Sequence, residues 1–174
     1  LKTQFGDHVV HENLDLDIYR GETIGVIGPS GCGKSVLLSE IVGLLTPTAG
    51  SVTVFGETLS ELSDSDRQAI ERRWSGMFQD GALFSNLTVR ENVMVPMKEH
   101  TNFSHDLMHD LADLKISLSG LPLNAADKKQ SELSGGMRKR AAMARALALD
   151  PELVFLAVPT AGPHPVTARS VASL

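Results

Sequence analysis

The chain has 174 residues, 42% of them hydrophobic, which is enough for one compact domain with an apolar core but not for two large ones. Its formal net charge of -5 lacks the basic surplus of nucleic-acid-binding proteins, so we expect no nucleic-acid partner. A single cysteine excludes an internal disulfide and indicates a cytoplasmic setting. No apolar run reaches membrane-spanning length, so we expect membrane contact only through partner proteins.

The first elements predicted along the chain are two strands. Residues 14–18 alternate between apolar and acidic side chains, which predicts a strand with one solvated face, and we expect this element to be antiparallel. After a turn at residues 20–22, the unbroken apolar run of residues 23–27 is typical of a central parallel strand buried on both faces.

A glycine-rich turn follows the second strand. Its glycines allow successive N–H groups to point inward, and the N-terminus of the helix predicted next attracts an anion. Lys34 adds a point charge for the β- and γ-phosphates of a nucleotide, and Ser35 adds a hydroxyl ligand for Mg²⁺. The complete pattern Gly-x-x-x-x-Gly-Lys-Ser predicts a phosphate-binding loop made of Gly28, Pro29, Ser30, Gly31, Cys32, Gly33, Lys34 and Ser35.

Beyond this loop, the pattern predicts alternating helices and strands with a helical stretch between them. Such alternation indicates an α/β fold with a parallel sheet. We expect one domain over residues 1–174, truncated at its carboxyl end, with an α/β core (1–79 and 137–174) and a helical subdomain at about 80–136. The predicted helices are 34–44, 63–73 and 137–149. The predicted strands are 51–55, 74–78 and 153–156. Between residues 80 and 126 we expect short amphipathic helices broken by Pro96, Gly120 and Pro122.

A second motif identifies the family that the chain resembles. Residues 133–137, Leu-Ser-Gly-Gly-Met, resemble the signature motif of the ATP-binding subunits of ABC transporters, and they follow the helical stretch as in that family. The resemblance implies a P-loop NTPase fold that binds ATP and Mg²⁺. It also implies a homodimer, or a pair with a second ATPase subunit, in which Ser134, Gly135 and Gly136 contact the γ-phosphate of the ATP bound to the opposite protomer.

Two further positions take their roles from this resemblance. Gln79 resembles the glutamine of the Q-loop, which contacts Mg²⁺ and relays the nucleotide state to the membrane subunits. Phe5 resembles the aromatic residue that stacks on adenine, although a lone aromatic side chain at this position is equally typical of the core of an edge strand.

A closer resemblance is to the ATPases of the lipid-asymmetry (Mla, organic-solvent-tolerance) phospholipid transporters of Gram-negative bacteria. Residues 14–35 and 78–93 look like the corresponding stretches of that group, and the likeness extends from Phe5 to about Val166. It implies coupling of ATP binding and hydrolysis to phospholipid transport across the envelope. The partners would be transmembrane permease subunits, and the chain would lie on the cytoplasmic face of the inner membrane.

The family pattern is broken after the last predicted strand. The family has Asp and then Glu at the positions of Ala157 and Val158, where the acids support the Mg²⁺ shell and polarise the attacking water. Pro163 and His164 replace the Leu-Asp pair of its D-loop. The sequence therefore leaves two interpretations open, a transport-coupled ATPase and a hydrolysis-deficient, nucleotide-dependent dimerisation or regulatory subunit.

Overall fold

The structure is a computed structural model that describes residues 1–77 and 82–156. These residues belong to two compact units, Leu1–Arg67 and Gln68–Pro159, which are described separately below. In the described ranges the strands are β1 (Thr3–Phe5), β2 (His8–His11), β3 (Thr53–Val54), β4 (Glu57–Thr58), β5 (Trp74–Met77) and β6 (Leu153–Leu156), and the helices are α1 (Lys34–Ile41), α2 (Asp64–Glu71), α3 (Val89–His100), α4 (His105–Leu118) and α5 (Gly135–Ala146).

Two antiparallel hairpins and helix α1 form the first unit. Strands β1 and β2 pair around a tight turn at Gly6, whose φ of 58° suits glycine, and Thr3 lies opposite His11 in the ladder. Strands β3 and β4 form the second hairpin. Helix α1 buries Leu37 and Glu40 and ends before Gly43, which has a φ of 73°.

Two strands predicted in this unit are not formed. Residues 14–18 and 23–27 have no strand assignment in the described chain, and Ile27 is 86% exposed. An apolar run becomes a central strand only where strands pair with both of its edges, and in the described residues no strand pairs with 23–27. The antiparallel element instead lies earlier, in the β1–β2 hairpin, and a pair of backbone hydrogen bonds joins Leu14 to Leu1.

A parallel strand pair and three packed helices form most of the second unit. Strands β5 and β6 pair in parallel from Trp74 opposite Leu153 to Met77 opposite Leu156, which confirms the strands predicted there. The rings of Trp74 and Phe155 meet edge to face with their centroids 6.4 Å apart. Helices α3, α4 and α5 enclose a core to which α5 contributes the small side chains Ala141, Ala142 and Ala144.

Helix α3 continues through Pro96, so the predicted break at this residue is wrong. Proline in a helix interior removes one hydrogen bond and costs about 3 kcal/mol or more. The buried neighbours Val93, Met94 and Met97, each at most 2% exposed, hold the helix together on both sides of the proline. The end of α4 is as predicted, because Gly120 adopts a φ of 73° immediately after the helix.

No helix in the described residues is long and apolar enough to cross a membrane.

Candidate functional site

The predicted phosphate-binding loop connects residue 27 to helix α1. Gly31 and Gly33 have φ angles of 83° and 92°, in the left-handed region where other residues are strained. A Cβ atom on Gly28 would lie 2.6 Å from Cys32 Sγ, so a larger residue there would require the Cys32 side chain to move. The backbone conformations of Gly31 and Gly33 let the chain turn sharply just before the helix begins.

The first turn of α1 is suited to an anion. Gly33 is the N-cap and provides no side-chain hydrogen bond, and the first turn contains no acidic residue. The N–H groups of a first turn have no acceptors within the helix, and the helix dipole adds partial positive charge at this end. A phosphate oxygen can therefore take the place that a capping side chain occupies in other helices.

Lys34 reaches back across the loop. Its Nζ atom donates hydrogen bonds of 2.7 Å to the carbonyl oxygens of both Gly28 and Pro29. Cys32 Sγ lies 3.6 Å from the same nitrogen. The ammonium group can exchange these neutral carbonyl acceptors for the charged oxygens of a phosphate, which accept stronger hydrogen bonds.

Ser35 fits the role of a Mg²⁺ ligand. Its exposed hydroxyl stands in the first turn of α1, and Mg²⁺ prefers oxygen ligands, combining a few protein oxygens with phosphates and water. In the residues that the structure describes, no group of three His, Cys, Asp or Glu side chains could hold a metal ion. The ion would therefore depend on the phosphates of the nucleotide for most of its ligands.

Phe5 lies at the end of β1 with 51% of its surface exposed. A residue of a hydrophobic core is almost fully covered, so the alternative interpretation of Phe5 as a core residue is wrong. Its ring is accessible for stacking, the role that the family resemblance implies.

The signature residues lie at the N-terminus of α5. Ser134 is the N-cap, and its Oγ atom accepts a hydrogen bond of 3.3 Å from the Met137 N–H group. Ser134, Gly135 and Gly136 are all exposed. Because a serine hydroxyl both accepts and donates, Ser134 can cap its own helix and still donate its proton to a phosphate oxygen.

The segment that leads into the signature is attached to α3. The Val89 and Arg90 N–H groups donate to the carbonyl oxygens of Lys128 and Ala126, each at 2.9 Å. The Arg90 side chain binds Asp113 at 2.6 Å and also contacts Asp127. Hydrogen bonding to Asp113 raises the pKa of Arg90 above its ordinary value, so this guanidinium stays charged. These bonds position the chain just before Ser134.

The remaining predicted site residues, Gln79 and Val158, lie outside the described residues, as do Ala157, Pro163 and His164.

Sequence reasoning missed the two residues that hold segment 82–88. Asn92, which is 1% exposed, donates from Nδ2 to the carbonyl oxygens of Phe84, Leu87 and Thr88, and its Oδ1 accepts from the Phe84 N–H group. Arg145 Nη1 donates to the carbonyl oxygen of Ala82 at 2.9 Å. An asparagine at a core position of an amphipathic helix is the signal that could have indicated the first of these contacts.

A buried polar cluster beside the phosphate-binding loop was also missed. Thr3 Oγ1 donates to Glu40 Oε1, and His11 Nδ1 lies 3.4 Å from Glu40 Oε2. Thr3, His11 and Glu40 are 2%, 8% and 1% exposed. A carboxylate among the apolar residues of α1 is the sequence signal for such a cluster, since acidic residues are rarely buried without partners.

Comparison with known proteins places this geometry in a family. The family model described as ABC transporter matches residues 11–161. The chain is similar to a dimeric ATP-binding cassette solved in a post-hydrolysis state with ADP and Pi, with a TM-score of 0.82 and 30% identity over 98% of this chain and 75% of that chain. This similarity confirms the predicted α/β P-loop fold class.

Two curated relatives are ATP-binding proteins of transport systems. The chain is 38% identical to the intermembrane phospholipid transport system ATP-binding protein MlaF of Haemophilus influenzae, over 97% of this chain and 64% of the relative. It is 39% identical to a probable ribonucleotide transport ATP-binding protein of Mycobacterium leprae, over 100% of this chain and 50% of the relative. The chain thus spans between half and two thirds of the length of these relatives. Its phosphate-binding loop, its signature motif and the family match together show that the chain belongs to the ABC transporter family.

Proposed function

We propose that this chain is the ATP-binding subunit of an ABC transporter that moves phospholipid across the envelope of a Gram-negative bacterium. The observation that carries the proposal is the position of Lys34, whose Nζ atom spans the glycine-rich loop at the open N-terminus of α1. The Haemophilus influenzae relative is an ATP-binding protein of a phospholipid transport system, and this similarity supports phospholipid as the cargo.

In this proposal the nucleotide binds through its phosphates. The N–H groups of the loop and of the first turn of α1 surround the β-phosphate, and Lys34 releases the carbonyl oxygens of Gly28 and Pro29 to contact the β- and γ-phosphates. Ser35 and Gln79 hold Mg²⁺, which neutralises phosphate charge when it is bound. Phe5 stacks on the adenine ring with its exposed face.

We further propose that the functional unit is a pair of such chains, or this chain with a second ATPase subunit. Ser134, Gly135 and Gly136 are exposed at the start of α5, where they can contact the γ-phosphate of a nucleotide held by the other protomer. The similar cassette bound to ADP and Pi was solved as a dimer. Transmembrane permease subunits would hold the assembly at the cytoplasmic face of the inner membrane.

A second candidate function is favoured by a specific observation. Ala157 and Val158 stand where the family has an Asp and the catalytic Glu, and neither side chain can support a metal shell or accept a proton. Binding and hydrolysis are therefore separate questions. The chain could act as a hydrolysis-deficient subunit that binds ATP and dimerises with an active partner.

A titration of the purified chain with a fluorescent ATP analogue and Mg²⁺ tests the nucleotide site. Lys34→Ala should abolish binding, because the loop loses its point charge on the phosphates. The matched control is Lys2→Ala, which removes a partly exposed lysine of the same unit that pairs with Glu12 at 3.4 Å, and it should bind as the wild type does. Equal affinity of the wild type and Lys34→Ala would overturn the assignment of the loop.

A further inference from the structure

The stretch of residues 127–132, which leads into the signature, has little apolar support. It follows Ala126, which is fully buried, and precedes Leu133, which is 4% exposed. None of the residues between these two is buried. A stretch with few buried apolar contacts opens easily, so its position depends on hydrogen bonds and ion pairs to elements that are better packed.

The first turn of α3 provides such bonds to the backbone of the stretch. The Val89 N–H group donates to the carbonyl oxygen of Lys128 at 2.9 Å, and Thr88 forms an antiparallel bridge with Lys129. The capping box between Thr88 and Glu91 fixes this turn of the helix. Val89 is 1% exposed and belongs to the core, so the stretch is attached to a well-packed part of the unit.

Arg90 adds a side-chain link between three elements. It is the second residue of α3, and its side chain is 16% exposed. Its Nε atom donates to Asp113 Oδ1 at 2.6 Å and its Nη2 atom to Asp113 Oδ2 at 3.4 Å, so α4 holds the guanidinium on one side. Its Nη1 atom donates to Asp127, the first residue of the stretch. The planar, five-donor guanidinium can bind both carboxylates at once.

We propose that Arg90 is a positioning residue for the signature, because it holds residues 127–132 to α3 and α4 and so keeps Ser134 in place for the γ-phosphate of a nucleotide on another protomer. The proposal rests on the pairing proposed above. An interface forms more readily when its contacting segments are ordered beforehand. Loss of the Arg90 link therefore weakens ATP-dependent pairing and leaves the affinity of the phosphate-binding loop for ATP unchanged.

Amide hydrogen exchange of the purified chain, measured by mass spectrometry, tests the positioning without nucleotide. Arg90→Met keeps an aliphatic stem but removes both ionic contacts, and it should speed exchange at residues 127–134 by about threefold to tenfold. The control is Arg72→Met, the same change at an exposed arginine of the same unit. A role in global stability alone would speed exchange throughout α3, α4 and α5, whereas lost positioning changes residues 127–134 specifically.

Sedimentation of the chain in the presence of Mg-ATP tests the consequence for pairing. Arg90→Met should raise the dimer dissociation constant by about threefold to tenfold relative to Arg72→Met, while the dissociation constant for Mg-ATP stays the same. Asp127→Ala changes a side chain that is 78% exposed, and it should have a similar effect. The double variant should weaken pairing no further, because the two residues form one link. If Arg90→Met fails to fold, Asp127→Ala carries the comparison.

Three results would overturn the proposal. The first is equal exchange at residues 127–134 in Arg90→Met and Arg72→Met. The second is faster exchange in Arg90→Met with an unchanged dimer dissociation constant, and the third is fully additive effects of Arg90→Met and Asp127→Ala on that constant. If the wild type does not associate with ATP, the proposed self-pairing fails and the role of Arg90 in it fails as well, while exchange still decides whether Arg90 holds the stretch.

Discussion

The guanidinium of Arg145 lies over the ring of Phe84, with its Cζ atom 5.7 Å from the ring centroid. The same side chain donates to the carbonyl oxygen of Ala82. Arg145 belongs to the helix that begins at the signature, so this helix directly contacts segment 82–88. Burial lowers the pKa of the Arg145 guanidinium from its ordinary value, yet the group stays protonated at physiological pH.

We expect Arg145→Met to destabilise the second unit by about 1–3 kcal/mol, because it removes a hydrogen bond to a charged donor and a cation–π contact. The change in the free energy of unfolding is measured by urea unfolding, followed by the fluorescence of Trp74, the single tryptophan. Lys139→Met, an exposed substitution on the same helix, is the control. If Arg145→Met lowers the free energy of unfolding no more than the control does, Arg145 does not hold segment 82–88.

Asn92→Asp should be more damaging, with a loss of about 2–4 kcal/mol in the free energy of unfolding at pH 7. A carboxylate can still accept from the Phe84 N–H group, but the oxygen that replaces Nδ2 would face three carbonyl acceptors to which it cannot donate. The exposed Asn102→Asp provides the comparison in the same urea experiment. Equal stability of the two variants would contradict this account of Asn92.

The capping box at the start of α3 predicts a pH dependence. Glu91 Oε2 accepts from the Thr88 N–H group at 2.8 Å, and this hydrogen bond lowers the pKa of Glu91 below its ordinary value. A carboxylate whose pKa is lowered by folding stabilises the fold above its unfolded pKa of about 4.3, and the contribution is lost as the pH falls through the lower folded value.

Glu91→Gln should therefore unfold more easily than the wild type at pH 5 to 7, and the difference should shrink as the pH falls toward about 3. Unfolding in urea at a series of pH values measures the difference. Glu99→Gln, an exposed change on the same helix, should leave the acid profile unaltered. A difference between wild type and Glu91→Gln that stays constant down to pH 3 would rule out the linkage.

Sequence reasoning succeeded where the requirement is local to the chain. A helix begins directly after the glycine-rich turn and another at the Ser-Gly-Gly motif, as predicted, because Gly33 and Ser134 are the N-cap residues there. The roles predicted for these residues in nucleotide binding stay predictions. Sequence reasoning failed where the formation of a strand or the burial of a side chain depends on residues distant in the chain. Residues 23–27 carry the apolar pattern of a central strand but have no paired strand in the described chain, and Glu40 is buried only because Thr3 and His11 come from other elements.

Hydrolysis by this chain should be very slow despite nucleotide binding. Loss of a general base typically reduces the rate 10²- to 10⁴-fold, and Val158 stands where the family has that base. Ala157→Asp together with Val158→Glu should restore part of the activity, and the additional reversion of Pro163→Leu and His164→Asp should restore more. The activities of the unaltered chain, the double variant and the quadruple variant are measured as steady-state phosphate release. Turnover by the unaltered chain equal to that of the quadruple variant would show that these acids are dispensable.

Segment 82–88 is also where we expect a permease subunit to dock. Leu83 is 7% exposed and belongs to the core, so changing it would test stability, whereas Phe84 is 49% exposed and can be changed at the surface. Phe84→Asp should reduce co-purification with the transmembrane subunits and leave Mg-ATP binding intact. Phe103→Asp, which alters another half-exposed ring, is the control. Undiminished co-purification of Phe84→Asp would count against docking at this segment.

Proline at position 96 has a mechanical consequence for α3. Because Pro96 has no N–H group, it donates no helical hydrogen bond to the carbonyl of Asn92. Helix α3 therefore has one fewer backbone hydrogen bond at this turn. The amino-terminal half is anchored through the side chain of Asn92, while the other half ends at His100. A helix bends most easily where a backbone hydrogen bond is missing. A force applied to either half of α3 would therefore bend the helix at this turn before it disturbed segment 82–88.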